Sequence, residues 1–238
     1  MFENFDILKV VLSMAVFIPA ITLHEFCHAK FADLAGDMTP RSQGRVTLNP
    51  LAHLDPLGTI MMVLSSIAGI GIGWGKPVMV NIGKMKNPRW DHFISVVMGP
   101  VSNLGIAIVC AILIKSGVIS PQSLREVTAG GGFVNSQVAF SSIGHFFSAF
   151  VLMSLIGNLG LFFFNLIPLG PLDGHWLVGA MLPPIQRNKW YTFCHGPGML
   201  IFLALIFIRT ENFNPIGDYM SYTIIGSIRF MLGGGLFG

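Results

Sequence analysis

Residues 10–35, VVLSMAVFIPAITLHEFCHAKFADLA, decide how this chain is read. The stretch is mostly apolar, and as a helix it would reach about 39 Å, enough to cross a bilayer. Its second half carries His24, Glu25 and His28. Histidines four residues apart project from one face of a helix, one turn apart, so their imidazole nitrogens can share a metal ion. The adjacent Glu25 can then reach a water on that ion. Ionisable side chains are costly in hydrocarbon, which makes such a cluster a functional-site hypothesis. Composition alone would produce H-E-x-x-H by chance with a probability of roughly 0.3%. The competing reading is a pair of histidines hydrogen-bonded to neighbouring helices.

The remainder of the chain suits a membrane setting. It has 238 residues, 53% hydrophobic and only 11% charged, with a mean hydropathy of +0.69. A soluble domain carries about a quarter charged residues, so the composition indicates an all-α polytopic membrane protein. The length suits one domain, 1–238, of about five to six membrane segments, with a core over 8–185 and accessory segments over 190–238. A net charge of +3 is too small to argue for nucleic acid, and the basic residues read as topology markers. Cys27, Cys110 and Cys194 are odd in number and lie in or beside apolar segments, so buried free thiols are expected. Cys27, at i+3 from His24, reads as a bystander. Because the first apolar segment carries the motif, it is not read as a cleaved signal peptide.

Outward from the first helix, Pro19 removes one backbone hydrogen bond and predicts a kink before the motif. The helix should end near residues 34–36, where Gly36 suits a C-cap. Residues 37–56 are polar and turn-rich. Residues 57–73 are apolar but short for a span. Alternation over 77–82 predicts a short strand in a protein-lined or wet place, because an unpaired strand edge is not tolerated in lipid. Further spans are expected at 93–114, 138–167, 190–208 and, more weakly, 216–237, with a Gly-rich loop at 116–135. Pro168, Gly170, Pro171 and Gly174 must break the helix that ends in Asn165.

A catalytic zinc takes three protein ligands and keeps a fourth position for water. His24 and His28 offer two. Asp173, in the broken stretch N-L-I-P-L-G-P-L-D-G at 165–174, is the best candidate for the third. Taken alone, the tetrad P-L-D-G reads as an ordinary surface turn with Asp173 capping the next helix. Beside H-E-x-x-H the ligand reading prevails. A carboxylate deep in an apolar segment needs a partner, and irregular backbone there must line protein or water.

The sequence resembles the site-2 protease family of intramembrane zinc metalloproteases. The resemblance rests on H-E-F-C-H at 24–28, G-P-V-S-N at 99–103 and N-L-I-P-L-G-P-L-D-G at 165–174, and covers about residues 8–185. GRVTLNPLAHLDPLGT and GWGKPVMVN resemble the family's smaller bacterial branch, and neither a PDZ insert nor a nucleotide-binding tail is seen. The resemblance implies that His24, His28 and Asp173 bind one zinc ion and that Glu25 is the general base and acid. Asn165 matches the asparagine that helps stabilise the oxyanion, and Asn103 the one in the family's middle motif. Gly170 departs from the proline usual there and leaves every ligand in place. Zinc would lower the pKa of its water towards ~7, Glu25 would take the proton, and Asn165 or Asn103 would donate to the developing oxyanion. The substrate would be a transmembrane or membrane-associated peptide, locally unwound, with the strand-like 77–82 segment able to hold it by edge pairing.

Two other readings are a metal transporter or sensor, and an inactive relative that binds membrane segments without cutting them. A transporter needs acidic or histidine residues along several helices, where the middle spans offer Asn, Ser and Gly. A pure binder has no use for Glu25.

The ligand set also fixes a topology. For His24, His28 and Asp173 to meet, the first helix and 138–167 must run in the same direction, with 93–114 returning between them. Residues 57–73 then make no net crossing and form a re-entrant or hairpin region. Nine basic residues, among them Lys30, Arg41, Lys84 and Lys189, fall on one side. Lys9, Lys115, Arg125 and Arg209 fall on the other, with Arg229 inside the last segment. By the positive-inside rule the site opens near the cytoplasm of a bacterial cytoplasmic membrane. Cysteines introduced at Ser42 and Asn87 should both be shielded from an impermeant thiol reagent in intact cells. Labelling of only one of them would break this topology.

Overall fold

Asp6 starts the first helix. In the computed structural model, which describes residues 6–67, 71, 73–129, 134–208 and 214–233, its carboxylate accepts from the amides of Leu8 and Lys9. Helix α1 then runs from Ile7 to Leu34, continuing through Pro19. The helices that follow are α2 (Thr39–Ser42), α3 (Pro56–Ile67), α4 (Pro88–Lys115), α5 (Pro121–Thr128) and α6 (Ser136–Ala139). After them come α7 (Ile143–Asn165), α8 (Asp173–Met181), α9 (Pro184–His195), α10 (Pro197–Phe207) and α11 (Pro215–Leu232). Short 3₁₀ turns occupy Pro50–Ala52 and Ile82–Lys84.

Three of these, α1, α4 and α7, are long and apolar enough to cross a membrane. A fourth arises if α9 and α10, bent by 45° at Gly196–Pro197, count as one span. By length and composition three to four helices qualify among the described residues, fewer than the five to six expected. Helix α3 has twelve residues, roughly 18 Å, and α11 is diluted by Asp218 and Arg229. The expected 116–135 loop contains one short helix, α5, and a second, α6, begins just beyond it. Arg209 lies outside the described residues.

Helix directions follow from paired contacts. Ser136, just before α7, donates to Asp6 at the start of α1, while Asp173, just after α7, lies beside His24 and His28 near the other end of α1. So α1 and α7 run the same way. Along α4, Ser95 meets His28, whereas Asn103 meets His24 and the carbonyl of Ala20, so α4 runs opposite to α1. It lies against both partners, and its inner face is small or polar: Gly99, Asn103, Ala107 and Ala111 are all buried. Small residues let helix backbones approach closely where lipid supplies no hydrophobic drive. Asn103 also donates to Asn158 of α7 at 2.9 Å, a wholly buried amide bridge between helices. Leu152, Leu155 and Leu159 fill the space between α4 and α7.

No strand forms over 77–82. Leu54 and Gly75 make one isolated antiparallel bridge, and the Lys76 amide donates to the His53 carbonyl at 2.7 Å. There the pairing stops. Arg45 takes the carbonyls of Lys76 and Pro77, Asp37 takes the Asn81 amide, and Ile82 opens a 3₁₀ turn. Side chains thus supply partners that a neighbouring strand would have supplied. The same bridge brings the two ends of the α3 excursion together. Trp74 packs on Gly58, and Met62 joins Phe17 and Ile21 of α1 in a small core.

The break after α7 forms where the prolines and glycines require it. The α7 cap at Leu166 is followed by non-helical chain, and α8 begins at Asp173. Gly174 sits on the carbonyls of Leu166 and Ile167 with no room for a side chain. At the far end of α8, Arg89 of α4 donates to the last carbonyls, Ala180 at 2.6 Å and Met181 at 2.9 Å.

Candidate metal centre

Two imidazoles one helical turn apart face a carboxylate from α8. The Nε2 atoms of His24 and His28 are 3.0 Å apart, and they lie 3.2 and 3.3 Å from Oδ2 of Asp173. Among the described residues this is the only group of three or more His, Cys, Asp or Glu placed to hold one ion. It is sheltered: His24 is 3% exposed.

The other ring nitrogens settle which tautomers are present. His28 Nδ1 lies 2.8 Å from the Ser95 carbonyl, which can only accept, so Nδ1 carries the hydrogen. His24 Nδ1 lies 2.7 Å from Oδ1 of Asn103. Asn103 cannot turn its amide nitrogen that way, because its N–H groups go to the Ala20 carbonyl and to Asn158 Oδ1. Asn158 is oriented in turn by donating to the Ser154 carbonyl. With Nδ1 carrying the hydrogen, each imidazole in its neutral form presents the Nε2 lone pair to the other ring and to an anionic oxygen. Asp173 Oδ2 is itself buried without a hydrogen-bond partner. Three lone-pair donors converging on one point require positive charge between them. A divalent cation satisfies all three at once, where a single proton satisfies two. The donor set, two imidazoles and one carboxylate with their outer nitrogens braced, is that of a catalytic zinc site.

Gly99 makes room for the pair. A β-carbon there would fall on the His28 ring and 3.0 Å from Cε1 of His24. Glu25, next to His24, is buried, and its Oε2 is 3.6 Å from Nη2 of Arg45. Burial pushes the Arg45 guanidinium below its ordinary value, and the Glu25 carboxylate opposes that. Asn165 ends α7 and donates to the Leu161 carbonyl one turn back at 3.0 Å. Asn103 is placed differently from the oxyanion role considered above: its N–H groups are committed, and its oxygen orients His24.

Cys27, His53, His92, His145, His175 and His195 are not part of the group. Sequence reasoning missed Arg45 as part of the site and the Ser95 carbonyl as the brace on His28. Arg45 counted only as a topology marker, and no side-chain pattern reveals which carbonyl will face an imidazole.

A profile for "Peptidase family M50" matches residues 12–209. The chain belongs to peptidase family M50, the site-2 protease family. This M50 chain is also 35% identical over 213 residues to "Putative zinc metalloprotease YwhC" of Bacillus subtilis (strain 168), covering 89% of this chain and 84% of that protein. No solved structure matches it significantly. Family and relative make it a metalloprotease, and its apolar helices fit a membrane protein.

Gly99→Val should lower bound metal below half an equivalent on metal analysis of the purified protein. Gly105→Val, one turn and a half along α4 and facing open space, should leave it unchanged. A full equivalent in Gly99→Val would show that the imidazole pair is not where the ion sits.

Proposed function

We propose that this M50 peptidase is an intramembrane zinc metalloprotease that hydrolyses peptide bonds of transmembrane or membrane-associated proteins. The observation that carries the reading is the convergence of two lone-pair-bearing Nε2 atoms and the orphaned Asp173 oxygen, with Glu25 adjoining. His24, His28 and Asp173 would hold one zinc ion. Bound there, zinc supplies Lewis acidity, acidifying water and polarising a carbonyl.

The remaining steps belong to the chain. Glu25 accepts a proton from the attacking water on its carboxylate and later returns it to the leaving amine. Asn165 has one amide hydrogen beyond the one spent on Leu161, and this would donate to the oxygen of the scissile carbonyl as negative charge develops. Asn103 and the Ser95 carbonyl hold the imidazoles in the ligating tautomer throughout. A helical substrate hides its peptide bonds, so it must unwind. Residues 78–80 make no backbone hydrogen bond among the described residues and could pair with an extended peptide, beside the carbonyls that Arg45 occupies.

The site would lie near the cytoplasmic face of a multi-pass protein in a bacterial cytoplasmic membrane, with 57–73 re-entrant. The parallel α1 and α7 and the pairing of Leu54 with Gly75 support the re-entrant course, and the excess of basic residues on the site's side supports the cytoplasmic face.

Purified wild type should cleave a transmembrane peptide in a zinc-dependent manner, and Glu25→Gln should abolish cleavage while retaining one equivalent of zinc. Near-normal turnover in that variant would remove Glu25 from the chemistry. Asp173→Ala should lose zinc and activity together, and unchanged zinc affinity would place the third ligand elsewhere. Asn165→Ala should retain zinc but lose roughly 10²–10³ in turnover. A loss below about threefold would take Asn165 out of the mechanism.

A further inference from the structure

Arg45 lies on the loop after α2, twenty residues beyond Glu25 in sequence, yet it is one of the most deeply buried charges in the molecule. Its residue exposure is 3%, and its side chain is 4% exposed. A cation is buried at such depth only when something compensates it. Two things do. One nitrogen of the fork, Nη2, lies 3.6 Å from Oε2 of Glu25. The fork also donates to the carbonyls of Lys76 and, at 3.1 Å, Pro77. The backbone it grips is the one laid against the glutamate, since a β-carbon on Gly75 would stand 3.2 Å from both Cγ and Oε1 of Glu25. That backbone is anchored on its other side by the Lys76 amide on the His53 carbonyl.

We infer that Arg45 is a positioning residue for Glu25, holding the carboxylate between its guanidinium and the Gly75 backbone in the attitude that proton transfer requires. The inference rests on the proteolytic reading above. A separation of 3.6 Å is too long for a hydrogen bond, so attraction draws the carboxylate into place without occupying the lone pair that must accept the proton. The planar fork does a second job that a point charge cannot. It ties two consecutive carbonyls to the same charge, so the wall beside Glu25 and the orientation of Glu25 are set together. Braces on reacting groups are commonly worth 10–100-fold in activity.

The test uses the full-length protein with zinc bound and a transmembrane peptide substrate. Arg45→Met, which keeps the length of the apolar stem, should lower kcat by about 10–100-fold while retaining one equivalent of zinc. Arg45→Lys, which keeps charge near Glu25 but not the fork, should recover kcat to within about tenfold of wild type. An activity-free readout follows the clamp: amide deuterium uptake at Lys76 and Asn81 should quicken by at least about tenfold in both variants. A scaffold role alone would instead lower zinc content, with Lys and Met equally impaired, and that result would overturn the inference. So would Arg45→Met within about threefold of wild-type kcat. Wild type that binds zinc yet cleaves no membrane peptide would sink the proteolytic reading itself. Wild type that cleaves, matched by Arg45→Met, would sink only the role of Arg45.

Discussion

Two imidazole nitrogens 3.0 Å apart and crowded against one carboxylate oxygen call for positive charge between them. Much of this molecule is arranged to keep them there. Asn103 and the Ser95 carbonyl take the outer hydrogens, Gly99 gives the rings space, and all three sit on α4. Helix α4 is the template on which the histidines of α1 are set. The amide bridge from Asn103 to Asn158 then registers α7 on the same template. A buried amide pair in a membrane helix bundle contributes only about 0.6 kcal/mol on average, so its value here lies more in orientation than in stability.

The third donor comes from a different kind of structure. Asp173 stands at the first residue of α8, where the chain restarts after a stretch rich in proline and glycine. Irregular backbone of that kind survives in lipid only inside protein, and α8 is held inside by α4 through Arg89 and by the close seat of Gly174 on Leu166 and Ile167. The helix that brings a carboxylate to the histidines is thus secured at both of its ends.

How much of this was legible in the sequence varies with the range of the interaction. The i, i+4 spacing of His24 and His28 is a property of one helix, and the prolines after Asn165 dictate a break wherever they occur. Both could be read directly. The parallel course of α1 and α7 followed once Asp173 was taken as the third donor. Residues 77–82 misled because alternation describes a strand's faces and says nothing about its partner. Here the partner is the side chain of Arg45, over thirty residues upstream. Among the described residues three to four helices are long and apolar enough to span, fewer than the five to six expected, because α9 and α10 bend at Gly196–Pro197 and Asp218 and Arg229 dilute α11. Asn103 was noticed only through resemblance, and its work on His24 depends on a hydrogen-bond chain that runs through three helices.

The placement of the three donors along the chain bears on how such a protein can be made safely. The two histidines leave the ribosome early, and the aspartate follows only after α4 and α7 have been synthesised. Until then His24 and His28 would lack both the braces of α4 and the proposed third donor, and two donors alone would make a poor chelator. On the proposed ligand set, competence would arrive with the docking of α8, and a destructive activity would be withheld from the half-built molecule by the order of its own sequence.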